Sequence, residues 1–338
     1  MTRKVTIGFE AGSLDVLTSS PGASISAVQK RTGNYSLYFN GGSASTIVLS
    51  GNLAEIFIRI GIRYVANAAL SPAILLALFD NGGVSHLILG VNTVTQLLEL
   101  YRGDATHWWA TKIATGSTPI LFNAWQCIEM RATIDDVTGI CQVKVDGFLD
   151  INFSGDTREG GVASVCMLEI ASQGTNDHWP VMYVDDIAIN DTAGVVNNSW
   201  IGRGGIYGVV PEGVGTYTDL IASAGNAWDC IEEVPPSDAD YVYESTVDKK
   251  STYALTALVP TTGVIACINV IMRAKLDAVG TGNIARLIRS NGTDSQGADV
   301  GLDTSPKTIQ ENIETDPSGG GAWTIARVNA LEAGAVVR

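Results

Sequence analysis

The chain has 338 residues, with 21 Lys and Arg against 35 Asp and Glu and a net charge of −14 with neutral His. That balance speaks against sequence-independent nucleic-acid binding, which needs a basic face to release counterions, and against an anionic membrane surface. Charged residues are only 17% and Gly numbers 37. Measured against averages of about 25% charged and 7% Gly, this favours an all-β chain with many turns, part of its surface covered by neighbours.

The length favours two domains. Cys127, Cys141, Cys166, Cys230 and Cys267 are scattered, odd in number and without a CxxC. They form neither a disulfide framework nor a zinc site and are expected to be mostly reduced, packed as small hydrophobes in strands. The start, "MTRKVTIGFE", lacks an apolar signal core, and the most apolar run, "ALSPAILLALF", is about half a membrane span. The expectation is a soluble protein made in a cytosol.

From residue 1 to about 190, short runs of period two alternate with turn residues. "KVTIGFE" is the first, "YSLYFN" follows the turn "RTGN", and "IFIRIGIRY" sets Arg59 and Arg63 opposite Ile58 and Ile60. "AILLALF" and "SHLILGVN" flank "DNGG", and "CIEMRATI" and "CQVKVDG" flank "DDVTG", both hairpin signals. "VMYVDDIAI" closes the series. Its alternation puts Tyr183, Ile187 and Ile189 on one face and Val184 and Ala188 on the other. No run has a persuasive helical period.

The polar segment 190–200, "NDTAGVVNNSW", marks a boundary, giving a jelly-roll domain over 1–195 and a smaller β-sandwich over 196–338. Strands are expected in "GGIYGVVPEG", "DADYVYESTVD", "STYALTAL", "GVIACINVIMRAKL", "NIARLIRS" and "AWTIARVNAL". Trp125, Trp228 and Trp323 read as core.

Catalytic constellations are missing from the sequence. His86, His107 and His178 fall in separate contexts without metal spacing, and no GxSxG, P-loop or nucleotide-binding GxGxxG is present. Glu129 stands alone on its face, without the alternating carboxylates of a glycan hydrolase. A non-enzymatic protein is expected. Trp108 and Trp109, in "GDATHWWATK", suit a sugar-stacking or docking platform, or else one core and one interface ring.

Asp185 and Asp186 are adjacent in a strand, so one carboxylate must point toward the buried face, where it needs backbone amides, an Arg or a hard cation. Glu10, at the end of the first strand, would approach them if first and last strands pair. Carbonyls from "AGS" and "TGNYS" could complete a calcium shell. A solvated carboxylate cluster is the plain alternative.

"FEAG", "RTGNYSLYF", "AWQCIEMRATIDDVTGICQVKVDG" and "YVDDIAIND" resemble the concanavalin-A-like (laminin-G-like) jelly-roll sandwich over residues 3 to 192. The resemblance implies a structural calcium held by Glu10 and by Asp185 or Asp186. Residues 200–338 are similar to virion proteins of tailed bacteriophages that follow a lectin-like jelly roll with a β-sandwich. Here the shared features are "WDCIEEVPPSD", matching W-x-x-(I/V)-x-E-x-P-x-x-D, and a late "AWT".

That resemblance implies a structural virion component, either capsid decoration or tail-associated, made in the host cytoplasm. It would assemble as a homo-oligomer, a trimer by first expectation, with capsid or tail proteins of the same particle as partners. A carbohydrate-binding adhesin contacting host surface glycan is the alternative, and a glycan hydrolase the remoter one.

Overall fold

The computed structural model describes residues 2–65, 73–103, 111–173 and 181–338. The chain is all-β and divides into two compact units, one of Met1–Phe9 and Leu14–Ile206 and one of Glu10–Ser13 and Tyr207–Arg338. The first unit therefore continues beyond residue 195, through the polar segment that follows its last strand.

Its strands are β1 (Arg3–Ile7), β2 (Ala23–Ser26), β3 (Ser36–Asn40), β4 (Ala44–Leu53), β5 (Glu55–Tyr64), β6 (Ala73–Phe79) and β7 (Ser85–Val91), followed by β8 (Leu98–Arg102), β9 (Thr111–Thr115), β10 (Gln126–Thr133), β11 (Gly139–Val145), β12 (Phe148–Gly155), β13 (Val165–Gln173) and β14 (Val181–Asn190). They form a jelly-roll sandwich of two antiparallel sheets. The eight-stranded sheet runs β12-β11-β10-β5-β14-β3-β2, with β1 also on β14. The six-stranded sheet runs β4-β13-β6-β7-β8-β9.

Alternation explains the core. Ile56, Ile58, Ile60 and Ile62 of β5 and Ile128 and Met130 of β10 meet Leu75, Leu78, Leu87 and Leu89 of β6 and β7 in one cluster. Each fully buried aliphatic side chain contributes roughly 1.5–3 kcal/mol. Both expected hairpins form. Asp80 accepts from Gly82 N at 2.8 Å and Val84 N at 2.9 Å to shape the β6–β7 turn, and β10 pairs with β11 from Ile128↔Val145 to Thr133↔Ile140. First and last strands pair, with Thr6 opposite Ala188 and Ile7 opposite Ile187.

The second unit contains β15 (Pro211–Thr218), β16 (Ile221–Ala222), β17 (Val242–Tyr243), β18 (Lys250–Leu255), β19 (Ile268–Ala274), β20 (Asn283–Ser290), β21 (Thr293–Gln296), β22 (Val300–Gly301), β23 (Lys307–Ile313), α1 (Ile325–Asn329) and β24 (Glu332–Val337). One sheet runs β15-β18-β24-β20-β21 with β22 on β20, and β16–β17 and β19–β23 are two-stranded ribbons. Ile288, Ile313, Trp323, Val328 and Leu331 form its core, and the Trp323 indole N–H donates to Ile313 O at 2.9 Å. On the sheet, Tyr217 lies under Lys250 Nζ at 3.7 Å, and its hydroxyl donates to Asp294 at 2.7 Å.

Three expectations fail here. "AWTIARVNAL" is not one strand: Thr324 caps α1 by accepting from Arg327 N at 3.2 Å, and β24 starts only at Glu332. Residues 204–210 form no strand: Gly204 O and Ile206 N bond to side chains of the first unit, to which both belong, and Val210 bonds to Thr256 in the second. Trp125 and Trp228 are half-buried, leaving Trp323 as the buried one of the three. None of the five cysteines is in a disulfide, and Cys127, Cys141 and Cys230 are buried. Among the described residues no helix is long and apolar enough to cross a membrane.

Candidate functional site

The strand carrying Asp185 and Asp186 changes phase in its middle. Met182 and Val184 point into the main core, and so do Ile187 and Ile189. The expected grouping of Tyr183 with Ile187, opposite Val184, is therefore wrong. The reason is a bulge against β5 between Asp185 and Ala188, with Asp186 at φ 54°. An inserted residue in the left-handed region, which Asp tolerates better than most, swaps the faces beyond it. The regular alternation thus breaks at the aspartates themselves, and both are fully buried.

Every oxygen of the pair has a donor. Asp185 accepts from Arg31 N at 2.8 Å, Thr32 N at 3.3 Å and Asp186 N at 2.7 Å. Asp186 accepts from the Thr32 hydroxyl and Ile206 N, both at 2.6 Å, and from the Arg31 guanidinium at 2.5 Å. Arg59 donates through Nε to Asp186 O at 3.0 Å. Burial opposes the charge on Arg31, but Asp186 outweighs it and raises the guanidinium above its ordinary value. Arg59, more deeply buried, is lowered. Burial, then the neighbouring Asp186 charge, push Asp185 up against its three amide donors.

A strap closes this face. Asn190 Nδ2 donates to Ser199 O at 2.9 Å. Trp200 lies edge-on to Phe57 and under Lys144 Nζ at 3.8 Å. Buried Glu129 accepts from Ile201 N at 3.1 Å and Gly202 N at 2.7 Å, so it serves the strap. Arg31 donates to Arg203 O and Gly204 O, each at 2.9 Å. A Cβ at Gly205 would come within 2.5 Å of Thr32 Cγ2. The glycines of "RGGIYG" thus allow close backbone approach.

Glu10 groups with the second unit, its side chain against Gly208. Among the described residues no three His, Cys, Asp or Glu are placed to hold a metal. The donor set at Asp185 and Asp186 does not fit calcium, since N–H and O–H groups already occupy the carboxylate oxygens and a guanidinium sits beside them. Thr32 opens the "TGNYS" segment expected to lend carbonyls to a calcium shell, but it meets the pair as a donor, through its amide and hydroxyl; Arg31 carries no local mark as a partner of residues some 150 positions away.

A second feature lies on the face of the six-stranded sheet turned away from the main core. There Ile74, Ala77, Phe79, Ile88 and Ala171 make a separate apolar cluster, with Ala44, Tyr101 and Met167 packed against it. In register, Thr46, Glu169, Ala77, Ile88, Tyr101 and Lys112 form one row across six strands.

Toward one end of the row, the buried Glu99 accepts from Lys112 Nζ at 3.1 Å, Asn92 Nδ2 at 3.2 Å and the Tyr101 hydroxyl. These bonds outweigh burial and hold the Glu99 carboxyl below its ordinary value. Toward the other end, Glu169 is half-buried and raised by burial alone, with no hydrogen bond or ion pair to a described residue. Trp108, Trp109, His107 and His178 lie outside the described residues. His86 is buried: its Nε2–H donates to Val162 O at 2.8 Å and its Nδ1 accepts from Glu159 N at 3.3 Å, a structural tie.

No family model and no curated protein matches the chain. Among solved structures it is similar to the cellulose induced protein Cip1, at 15% identity and a TM-score of 0.44, over 60% of this chain and 100% of that one. Alginate lyase Aly36B is similar at 9% identity and 0.39, over 56% and 93%. The carbohydrate binding module CBM66 from Bacillus subtilis is similar at 13% and 0.33, over 50% and 96%.

Proposed function

We propose that the first unit is a carbohydrate-binding module and that the chain is a non-enzymatic binding protein. The observation that carries this reading is the row on the outer face of the six-stranded sheet. Sugars are held by apolar and aromatic surface for their C–H faces, with a few fixed polar groups for their hydroxyls. Here the half-buried Tyr101 is fixed by Glu99 and the half-buried Glu169 offers an acceptor that no described residue uses, while the buried Ala77 and Ile88 support the two from beneath.

From β13 to β8 the row crosses three inter-strand spacings, about 14 Å, room for an oligosaccharide of several units. A glycan array probed with the purified chain should give a defined set of oligosaccharide signals. A blank array would contradict the proposal. The sequence also offers Trp108 and Trp109 as stacking rings, and Trp108→Ala with Trp109→Ala tests that part separately.

The second reading, a structural component of a tailed-bacteriophage particle presenting this module to host glycan, is favoured by the second unit. β15 alternates half-buried and exposed residues and β19 has no buried residue, while Val214, Val264 and Val279 are exposed. Such strands gain apolar burial when neighbouring copies cover them, which suits a homo-oligomer, a trimer by expectation, docked on capsid or tail proteins. Sedimentation should give a defined oligomer, and antibody should label purified particles. A monomer absent from particles would refute it.

A further inference from the structure

We infer that the Arg31 guanidinium and main-chain donors, not a metal ion, close the buried aspartate pair of β14, and that this closure is therefore calcium-independent. Calcium takes six to eight oxygen ligands with their lone pairs free to point at the ion. The four carboxylate oxygens of Asp185 and Asp186 instead face the N–H groups of Arg31, Thr32, Asp186 and Ile206, the Thr32 hydroxyl and the Arg31 guanidinium.

Charge balance leads the same way. Arg31 and Arg59 together bring the two positive charges that a calcium ion would bring, Arg31 to the Asp186 carboxylate and Arg59 to its main-chain carbonyl. Glu129, opposite Arg59 in the β10–β5 register, supplies a further negative charge on this face. A dication added here would meet two fixed cations.

The backbone is cut to fit these side chains. Gly61 pairs with Asp185, and a Cβ on it would stand 2.6 Å from Arg31 Cδ and 3.2 Å from Asp185 O. A Cβ on Gly204 would stand 3.0 Å from an Arg59 guanidinium nitrogen. An ion would need ligands from the strand and a loop. The guanidinium of Arg31 binds Asp186 and, through the carbonyls of Arg203 and Gly204, fastens the strap as well.

The test uses the full chain. Melting of the purified protein is followed after exhaustive chelation and again in millimolar calcium chloride, and terbium luminescence sensitised by the aromatic residues is titrated in parallel. The inference expects superimposable melting curves and no terbium signal that Asp186→Asn removes. Arg31→Met should melt lower, with no recovery in calcium; if that variant does not fold, the wild-type curves still decide. A lower melting temperature on chelation, calcium rescue of Arg31→Met, or terbium binding abolished by Asp186→Asn would each overturn the inference.

Discussion

Replacing Arg31 by Met tests the lock at its centre. The change keeps an unbranched stem of similar length and removes the fork that binds Asp186 at 2.5 Å and the carbonyls of Arg203 and Gly204 at 2.9 Å each. Asp186 is fully buried, and Arg31 exposes 14% of its side chain, so water cannot readily replace the lost partner. Removing one member of a buried ion pair costs about 3–5 kcal/mol, because it leaves an uncompensated charge. The two carbonyl bonds add a smaller amount, about 0.5–1.5 kcal/mol each. For a unit of this size about 2–4 °C is lost per kcal/mol, so a total loss of about 4–8 kcal/mol should lower its transition by about 8–32 °C.

Calorimetry at neutral pH, with urea melts followed by tryptophan fluorescence, measures the drop. Arg31→Lys, which keeps a charge without the fork, should fall between wild type and Met. Adding Asp186→Asn to Arg31→Met should return part of the loss, as expected of directly coupled partners. An Arg31→Met transition within the scatter of wild type would refute the reasoning, and so would strictly additive effects of the two changes.

Two further outcomes follow from the same region and one from the opposite sheet. Gly61→Ala should destabilise by about 1–3 kcal/mol, since its Cβ must displace the Arg31 stem or strain β5; urea melts of this variant decide. Asp185, raised by burial, stays protonated to higher pH in the folded chain than in the unfolded one, so its contribution is full below the unfolded value near 3.8 and is lost as pH rises toward about 8. Asp185→Asn should therefore flatten the fall in melting temperature between these limits, and an unchanged slope would clear Asp185 of the effect. Glu169, raised by burial without a described partner, should also cost stability at neutral pH. Glu169→Gln is expected to melt slightly higher while binding glycan more weakly, the trade that a binding residue shows.

Much of the first unit was legible because alternation dictates which face is buried. "IFIRIGIRY" puts its isoleucines in the core and the buried Arg59 on the other side, and "DNGG" and "DDVTG" turn where turn chemistry demands. The aspartate pair was legible as a problem, two carboxylates in a closing strand, but not as a solution. The bulge at Asp186 reverses the faces of Ile187 and Ile189, and a period-two pattern carries no mark of an inserted residue.

Arg31 reaches the pair only through tertiary structure, and a turn "RTGN" has no local feature that points to it. "GGIYG" alternates well enough to pass for a strand. Its glycines serve close backbone approach to Thr32 and Arg59, which a single sequence cannot distinguish from a flexible strand. The short helix at Ile325–Asn329 had one usable signal, the N-cap Thr324, overridden by the strand-like Ile325 and Val328 within it. The row on the six-stranded sheet depends on cross-strand register over six strands, which no local pattern encodes.

The most direct measurement is a calorimetric titration of an array-positive oligosaccharide into wild type, Tyr101→Ala and Glu169→Gln, with melting curves to show that each variant is folded. Carbohydrate binding on the outer face of the six-stranded sheet predicts saturable heat for wild type and affinity at least about tenfold weaker, about 1.4 kcal/mol, for each variant. Equal affinity in all three folded proteins would contradict it.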